Sequence, residues 1–303
     1  MKNKILVTGG TGQVGEELKS FIPHADYIGS KECDLTNEES VDELFAFNNY
    51  ETVIHLAAKV GGIMDNLNNP VDFFEKNVLM NTNVVKQARI HKVKNFIGIL
   101  STCIYPEKVK SYPIHEHQLH DGIPPKGNLS YGYAKRSMAI HIDAVNQQYK
   151  TNYNYIIPTN LYGISKHEDP NTLHFVNALV KKIVDANRDG RGEIVLFGDG
   201  TPRRQFIHAR DLARIIAEMY SSDIHDNFNV AGDDNLTIRE MAEIALTVTG
   251  NTHLKITFDT TKPNGQLRKD VSNKKLKKIF PNFKFTKFED GINELYNHYV
   301  NVF

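Results

Sequence analysis

Residues 4–8 (KILVT) form a short aliphatic and β-branched run that stops at Gly9, and Gly12 and Gly15 follow as an amphipathic stretch opens over 13–22. This reads as strand, tight turn, helix. Glycine is needed where a chain turns sharply and where its backbone must approach a pyrophosphate, whose charge then rests on the amides of a helix N-terminus. In that context the segment Gly9, Gly10, Thr11, Gly12, Gln13, Val14 and Gly15 predicts a dinucleotide-binding loop and commits the surrounding chain to parallel strand-helix-strand units.

The rest of the first half follows the same rhythm. Apolar runs at 25–29, 52–57 (TVIHLA), 96–100 and 153–158 (YNYIIP) alternate with helical patterns at 40–47, 73–91 and 133–148. Strands separated by helices of this length bury both faces of a parallel sheet, so the expected class is α/β with a doubly wound parallel sheet of Rossmann type. After Tyr162 the rhythm breaks. Pro170, Pro202 and Pro263 punctuate shorter elements, with helices expected at 173–186, 211–220 and 238–249, the last capped by Asn235 or Thr237. We expect a Rossmann domain over 1–162, joined by returning segments near 205–235. A smaller C-terminal α/β substrate lobe over 163–303 would cover the crevice at the strand ends.

Composition narrows the possible partners. The 303 residues carry 36 Lys and Arg against 36 Asp and Glu, so no global basic field exists to hold a nucleic acid or a membrane surface. The N-terminal apolar run is too short for a secretory signal, and no stretch approaches the roughly 18 apolar residues of a spanning helix, so a cytoplasmic location is expected. Cys33 and Cys103 are the only cysteines, too few for a disulfide framework or a four-thiolate zinc site, and no metal is expected.

An NAD-type loop wants an acid at the end of the second strand, about 20 residues beyond the glycines. Here that strand runs into Gly29, Ser30 and Lys31, with Glu32 just beyond. Ser30 and Lys31 can hold a 2′-phosphate, whereas Glu32 can accept from a ribose hydroxyl; the reading leans to NADP(H). Asp34 and Leu35, at the next turn, are placed to meet the adenine.

Tyr131 and Lys135 are four apart and would share a helix face. An ammonium beside a phenol favours the phenolate, drawing a pKa of about 10 toward neutrality. Tyr131 is therefore expected as the acid that exchanges a proton with a substrate oxygen, and Lys135 as its tuner. Ser101 follows the 96–100 run, where substrates sit above a parallel sheet, and its hydroxyl can donate to the same oxygen.

These residues resemble the extended short-chain dehydrogenase/reductase family. With 57–63 (AAKVGGI), 101–106 (STCIYP), 158–163 (PTNLYG), 197–204 (FGDGTPRR), and 262–265 (KPNG) followed by Arg268 and Lys269, the likeness is to its GDP-L-fucose synthase branch. The resemblance implies an NADPH-dependent enzyme that epimerises C3 and C5 of GDP-4-keto-6-deoxy-D-mannose and then reduces its C4 ketone. A ketone acidifies the protons on both flanking carbons, so one base and one acid on opposite sides can invert them through an enolate. By similarity Cys103 and His174 are that pair. The implied cofactor contacts extend to Ala57, Leu100, Ser101, Lys135, Pro158, Asn160, Leu161 and His174.

For the substrate, the resemblance implies Arg204 at the GDP pyrophosphate and Lys269 near the sugar. Lys182, Phe197 and Asn264 stand where the family commonly has Arg, Trp and Asp. It also implies a homodimer formed by helices 73–91 and 133–148 as a four-helix bundle. Two other readings compete: a C4-reductase of another GDP-4-keto sugar such as a heptose, without epimerisation, and a non-catalytic cofactor-sensing protein on the same fold. Cys103 and His174 weigh against the first, and the intact Ser101, Tyr131 and Lys135 against the second. A dehydratase would place Asp-Glu where Cys103 and Ile104 follow Thr102, and a UDP-sugar 4-epimerase should lack the 103/174 pair.

Overall fold

Strand β1 (Ile5–Thr8) is buried along its whole length, and the glycines turn the chain into α1 (Gln13–Leu18) and on to β2 (Asp26–Ile28), which pairs parallel with β1. The computed structural model describes residues 4–165, 173–262 and 264–302; Pro170, within 166–172, and Pro263 of the KPNG turn lie outside them. The alternation continues through α2 (Glu38–Ala46), β3 (Thr52–His55), α3 (Ile63–Asn68), α4 (Pro70–Ile90), β4 (Asn95–Ile99), α5 (Leu129–Tyr149) and β5 (Asn154–Pro158). Beyond these come β6 (Asn160–Tyr162), α6 (Phe175–Arg188), β7 (Glu193–Phe197), β8 (Arg203–Arg204), β9 (Phe206–His208) and α7 (Ala209–Ser221). The chain ends with β10 (Phe228–Val230), β11 (Leu236–Thr237), α8 (Ile238–Val248), β12 (Lys255–Asp259), α9 (Lys274–Ile279) and α10 (Phe288–Val302).

Six strands form one sheet in the order β10-β5-β4-β3-β1-β2, every neighbouring pair parallel. The class is the expected doubly wound α/β fold. Strand order reverses between β1 and β3, and the loops leaving those strands part there, opening a crevice. Period-two alternation sends Leu6, Val53 and Phe96 to one face, against Val84 and Ile142 of α4 and α5. Val7, Ile54 and Ile97 go to the other, against Leu18, Leu212 and Ile216 of α1 and α7. A third apolar cluster joins Val180, Ile183, Met241, Ala245, Ile292 and Leu295 of α6, α8 and α10. Truncating one of these buried aliphatics, as in Ile54→Ala, costs about 2–5 kcal/mol.

Several elements differ from expectation. Helix α1 stops at Leu18 instead of reaching 22, because the amides of Ser20 and Phe21 turn back to Glu17 and Leu18 ahead of Pro23. Helix α5 starts at Leu129 rather than 133, which carries Tyr131 onto its first turn. Thr237, not Asn235, caps α8 through a reciprocal box: its hydroxyl accepts from the Glu240 amide, and the Glu240 carboxylate accepts from its own amide. The parallel pair β7–β12 and helix α10 were not anticipated.

Candidate active site

The glycine loop is shaped by close packing. Gly9 has φ +70°, and a Cβ there would lie 2.7 Å from the Ala57 amide nitrogen. The β1 and β3 loops therefore touch at the switch point only because no side chain intervenes. No side chain caps α1 at Gly12. A cleft of about 680 Å³ opens over this loop, walled by Gly9, Thr11, Gly12, Gln13, Val14 and Gly15. Ser30, Asp34, Leu35 and Ala57 continue the wall.

One expected contact is corrected by the packing. Gly10 is buried with its amide spent on the Ile28 carbonyl, 2.8 Å away, and a Cβ would strike Tyr27; it is a packing glycine and not part of the cleft wall. Lys31 is exposed, next to the cleft-lining Ser30. Glu32, the competing acid, folds back so that its carboxylate accepts from the Gly29 amide at 2.7 Å. Asp34 accepts from both the amide and the hydroxyl of Thr36, and these bonds hold its carboxyl below the usual carboxylate range.

The same cleft continues past Leu100, Pro158, Asn160 and Leu161 to Ser101, Cys103, Tyr131, Lys135 and His174. Tyr131 and Lys135 share the cleft wall, but Lys135 does not tune Tyr131 as anticipated. Its ammonium is buried and donates to the Ile99 carbonyl at 2.9 Å, and burial lowers its pKa to about 7. The phenol is pushed above its ordinary value by burial and by the Cys103 charge, with the Ser101 hydroxyl pulling the other way. Such a phenol stays protonated near neutrality, which is the form able to donate to a developing alkoxide.

Beneath these groups runs a buried polar chain that sequence reasoning missed. Asn81 of α4 donates to the Ala134 carbonyl of α5 at 3.2 Å, which fixes its amide orientation. Its Oδ1 then accepts from His55 Nε2 at 3.0 Å, leaving His55 Nδ1 to accept from the Thr8 hydroxyl at 2.7 Å. Burial, and then the Lys135 charge, hold His55 down at about 3, so the ring is neutral and this single tautomer ties β1, β3 and α4 to the helix carrying Tyr131. Only an apolar-flanked His and Asn, far apart in the chain, could have hinted at it.

Cys103 has a contact that spacing does not reveal. The Lys269 ammonium lies 3.0 Å from its sulfur, and the Cys103 amide donates to the Ser101 hydroxyl at 3.3 Å. Burial, the largest influence, pushes the thiol up; the Lys269 charge and hydrogen bonds from Ser101, Lys269 and Asn128 outweigh it, and the net direction is down. Gly132 packs on the Cys103 carbonyl, where a Cβ would come within 2.7 Å. Arg204 lies close enough for the Cys103 charge to raise its pKa, although its burial has the larger, lowering effect. His174 stands at the N-cap of α6, exposed into the cleft, and desolvation lowers its imidazole below the ordinary histidine value.

Lys182, Phe197 and Asn264 gather apart from this cleft wall. The Lys182 ammonium sits 5.4 Å from the Phe197 ring centre and donates to the Val195 carbonyl, while Asn264 accepts from the Asp199 amide at 2.8 Å. A second unanticipated link joins the two ends of the cleft: the Gly163 carbonyl accepts from Gln13 of the glycine loop at 2.7 Å and from Asn177 of α6 at 2.8 Å. Among the described residues there is no cluster of His, Cys, Asp and Glu able to hold a metal ion, and no helix is long and apolar enough to cross a membrane.

Residues 5–231 match the model of the NAD dependent epimerase/dehydratase family. The chain belongs to that family. The matched stretch runs from β1 to just past β10, and so takes in the six-stranded sheet of this family member. The chain is 35% identical over 314 residues to the probable GDP-L-fucose synthase of Drosophila melanogaster, covering 98% of this chain and 97% of that protein. It is 34% identical to the GDP-L-fucose synthase of Dictyostelium discoideum, over 97% of this chain and 94% of that one. Among solved structures, a GDP-L-fucose synthetase from Naegleria fowleri bound to NADP superposes with a TM-score of 0.89 at 32% identity, covering 99% and 93% of the two chains.

Proposed function

We propose that this protein is a GDP-L-fucose synthase that uses NADPH, inverting C3 and C5 of GDP-4-keto-6-deoxy-D-mannose and then reducing C4. One observation carries the reading: a thiol, Cys103, and an imidazole, His174, open into the same cleft as Ser101, Tyr131 and Lys135, continuous with the glycine loop. The relatives named above support the substrate class and the cofactor.

The loop fits a dinucleotide because Gly9, Gly12 and Gly15 line the cleft and let its backbone approach a pyrophosphate. Residues 9–15 would hold the pyrophosphate, Ser30 the 2′-phosphate, with Glu32 turned away onto Gly29, and Asp34 and Leu35 the adenine. When bound, the reduced nicotinamide supplies a hydride for C4. Ser101 and Tyr131 donate to the ketone oxygen, which polarises the carbonyl and acidifies the flanking C–H bonds. Cys103 and His174 then serve as base and acid on opposite sides, both with ordinary pKa values near enough to neutrality to exchange protons. After inversion, the Tyr131 proton meets the alkoxide formed at C4.

Arg204 would take the GDP pyrophosphate through its guanidinium fork. Lys182, Phe197 and Asn264 would face the nucleoside, with the half-exposed Phe197 ring as a stacking surface. In this reading residues 1–162 with the 205–235 return carry the cofactor, and 163–303 mainly carry the sugar nucleotide. The outer surface of α4 and α5 exposes Phe74, Leu79 and Ile140 and would form the dimer seam; sedimentation should give a dimer, and Ile140→Lys a monomer.

The decisive experiment incubates the protein with GDP-4-keto-6-deoxy-D-mannose and NADPH in deuterated water and reads the product by NMR. GDP-L-fucose labelled at C3 and C5 is expected. A reduced, unlabelled and uninverted sugar would replace this reading with that of a simple C4-reductase.

A further inference from the structure

Lys269 sits in a strap whose position is set by its neighbours and not by its own side chain. Val271 forms a parallel bridge with Ile114; the Ile114 amide donates to the Asp270 carbonyl and the Ser272 amide to the Ile114 carbonyl. Gln205 grips Val271 from the other side, accepting from its amide at 2.8 Å and donating to its carbonyl at 3.3 Å. The Tyr112 hydroxyl donates to the Arg268 carbonyl at 2.9 Å. From this fixed backbone the ammonium reaches the Cys103 sulfur at 3.0 Å.

We propose that Lys269 is a positioning residue that holds Cys103 as its thiolate, ready to accept a proton from carbon. The use of that thiolate rests on the epimerase reading above; the pairing itself does not. At an ordinary thiol pKa of about 8.5, only a few per cent of the sulfur would be ionised at neutrality. With the ammonium in contact, the thiolate takes a proton from a carbon beside the ketone, the C–H electron pair moves into the enolate, and Lys269 keeps its own proton throughout. The other groups facing the sulfur are Ser101 and Asn128 as hydrogen-bonding partners, the Arg204 guanidinium and the neutral Tyr131 phenol, and His174 lines the same cleft. Of the two cations, Lys269 makes the direct contact.

The test uses the full chain carrying Cys33→Ala, which leaves Cys103 as its single thiol. Ultraviolet thiolate absorbance and the rate of iodoacetamide alkylation are followed against pH, with thermal unfolding as a check on folding. Lys269→Met should raise the Cys103 titration midpoint by at least about one unit and slow alkylation at neutral pH about tenfold. Lys269→Arg should keep the midpoint close to that of the parent, and Arg204→Met should move it less than Lys269→Met does. An unchanged midpoint in Lys269→Met, or an equal displacement in Lys269→Arg, overturns the proposal. No sugar nucleotide enters these measurements, so their failure leaves the epimerase reading standing. Conversely, a Lys269-dependent midpoint in a protein that exchanges no deuterium at C3 or C5 supports the pairing and overturns that reading.

Discussion

Two lysines stand beside two of the candidate proton-transfer groups of the cleft, Tyr131 and Cys103, and their surroundings use them differently. Lys135 is buried one helical turn from Tyr131, yet it donates to the Ile99 carbonyl, and the phenol beside it is pushed up. Lys269 is only partly buried, arrives from the far end of the chain, and donates directly to the Cys103 sulfur, whose pKa moves down. Sharing a helix face does not make a cation an electrostatic partner; contact with the reacting atom does. The difference matches the work each acid would do, since a phenol that donates must stay protonated and a sulfur that accepts must not.

Removing the donor at the first centre is expected to have the largest effect. Tyr131→Phe should cut ketone reduction by about 10²–10⁴-fold, with NADPH binding by fluorescence titration unchanged; normal turnover would remove Tyr131 from the chemistry. At the second centre, Cys103→Ala should abolish deuterium uptake while reduction persists, giving a reduced sugar of uninverted configuration; GDP-L-fucose from this variant would erase the division between the centres. Asn81→Leu should act on the Tyr131 side alone. It strands the His55 N–H in the core, costs about 1–3 kcal/mol in thermal unfolding, and should lower reduction more than deuterium exchange.

A separate effect is expected in the pH dependence of stability. Lys135 binds its proton more weakly in the fold, at about 7, than the ordinary ammonium value of 10.5. The unfolded chain therefore carries more protons between those values, and stability should rise as pH climbs from 7 toward 10.5. Lys135→Met removes this slope, so any advantage of the variant in Tm should shrink as pH increases. Parallel curves would mean that the buried ammonium is not strained.

The parallel sheet and the glycine loop were legible because their signals are local: period-two apolar runs, helical repeats between them, and glycines where the chain turns. Cys103 and His174 came from a resemblance, and nothing in their own spacing predicted that they would open into one cleft. What stayed hidden depends on contacts between distant segments. Lys269 and Cys103, or Asn81 and the Ala134 carbonyl, meet only after crossovers have brought their elements together. The same limit explains Gly10, whose position in the sequence suited a phosphate but whose amide is spent on the Ile28 carbonyl. Strand β7 alternates buried and exposed residues, and its register against β12 needs a partner found more than fifty residues later.

The Gly163 carbonyl accepts from the loop that would grip the pyrophosphate and from the helix capped by His174. One peptide oxygen is thus the knot between the two halves of the crevice. A pull on either side is felt by the other, so ordering the loop and seating the His174 imidazole should reinforce one another to the same extent in both directions, as thermodynamic reciprocity demands.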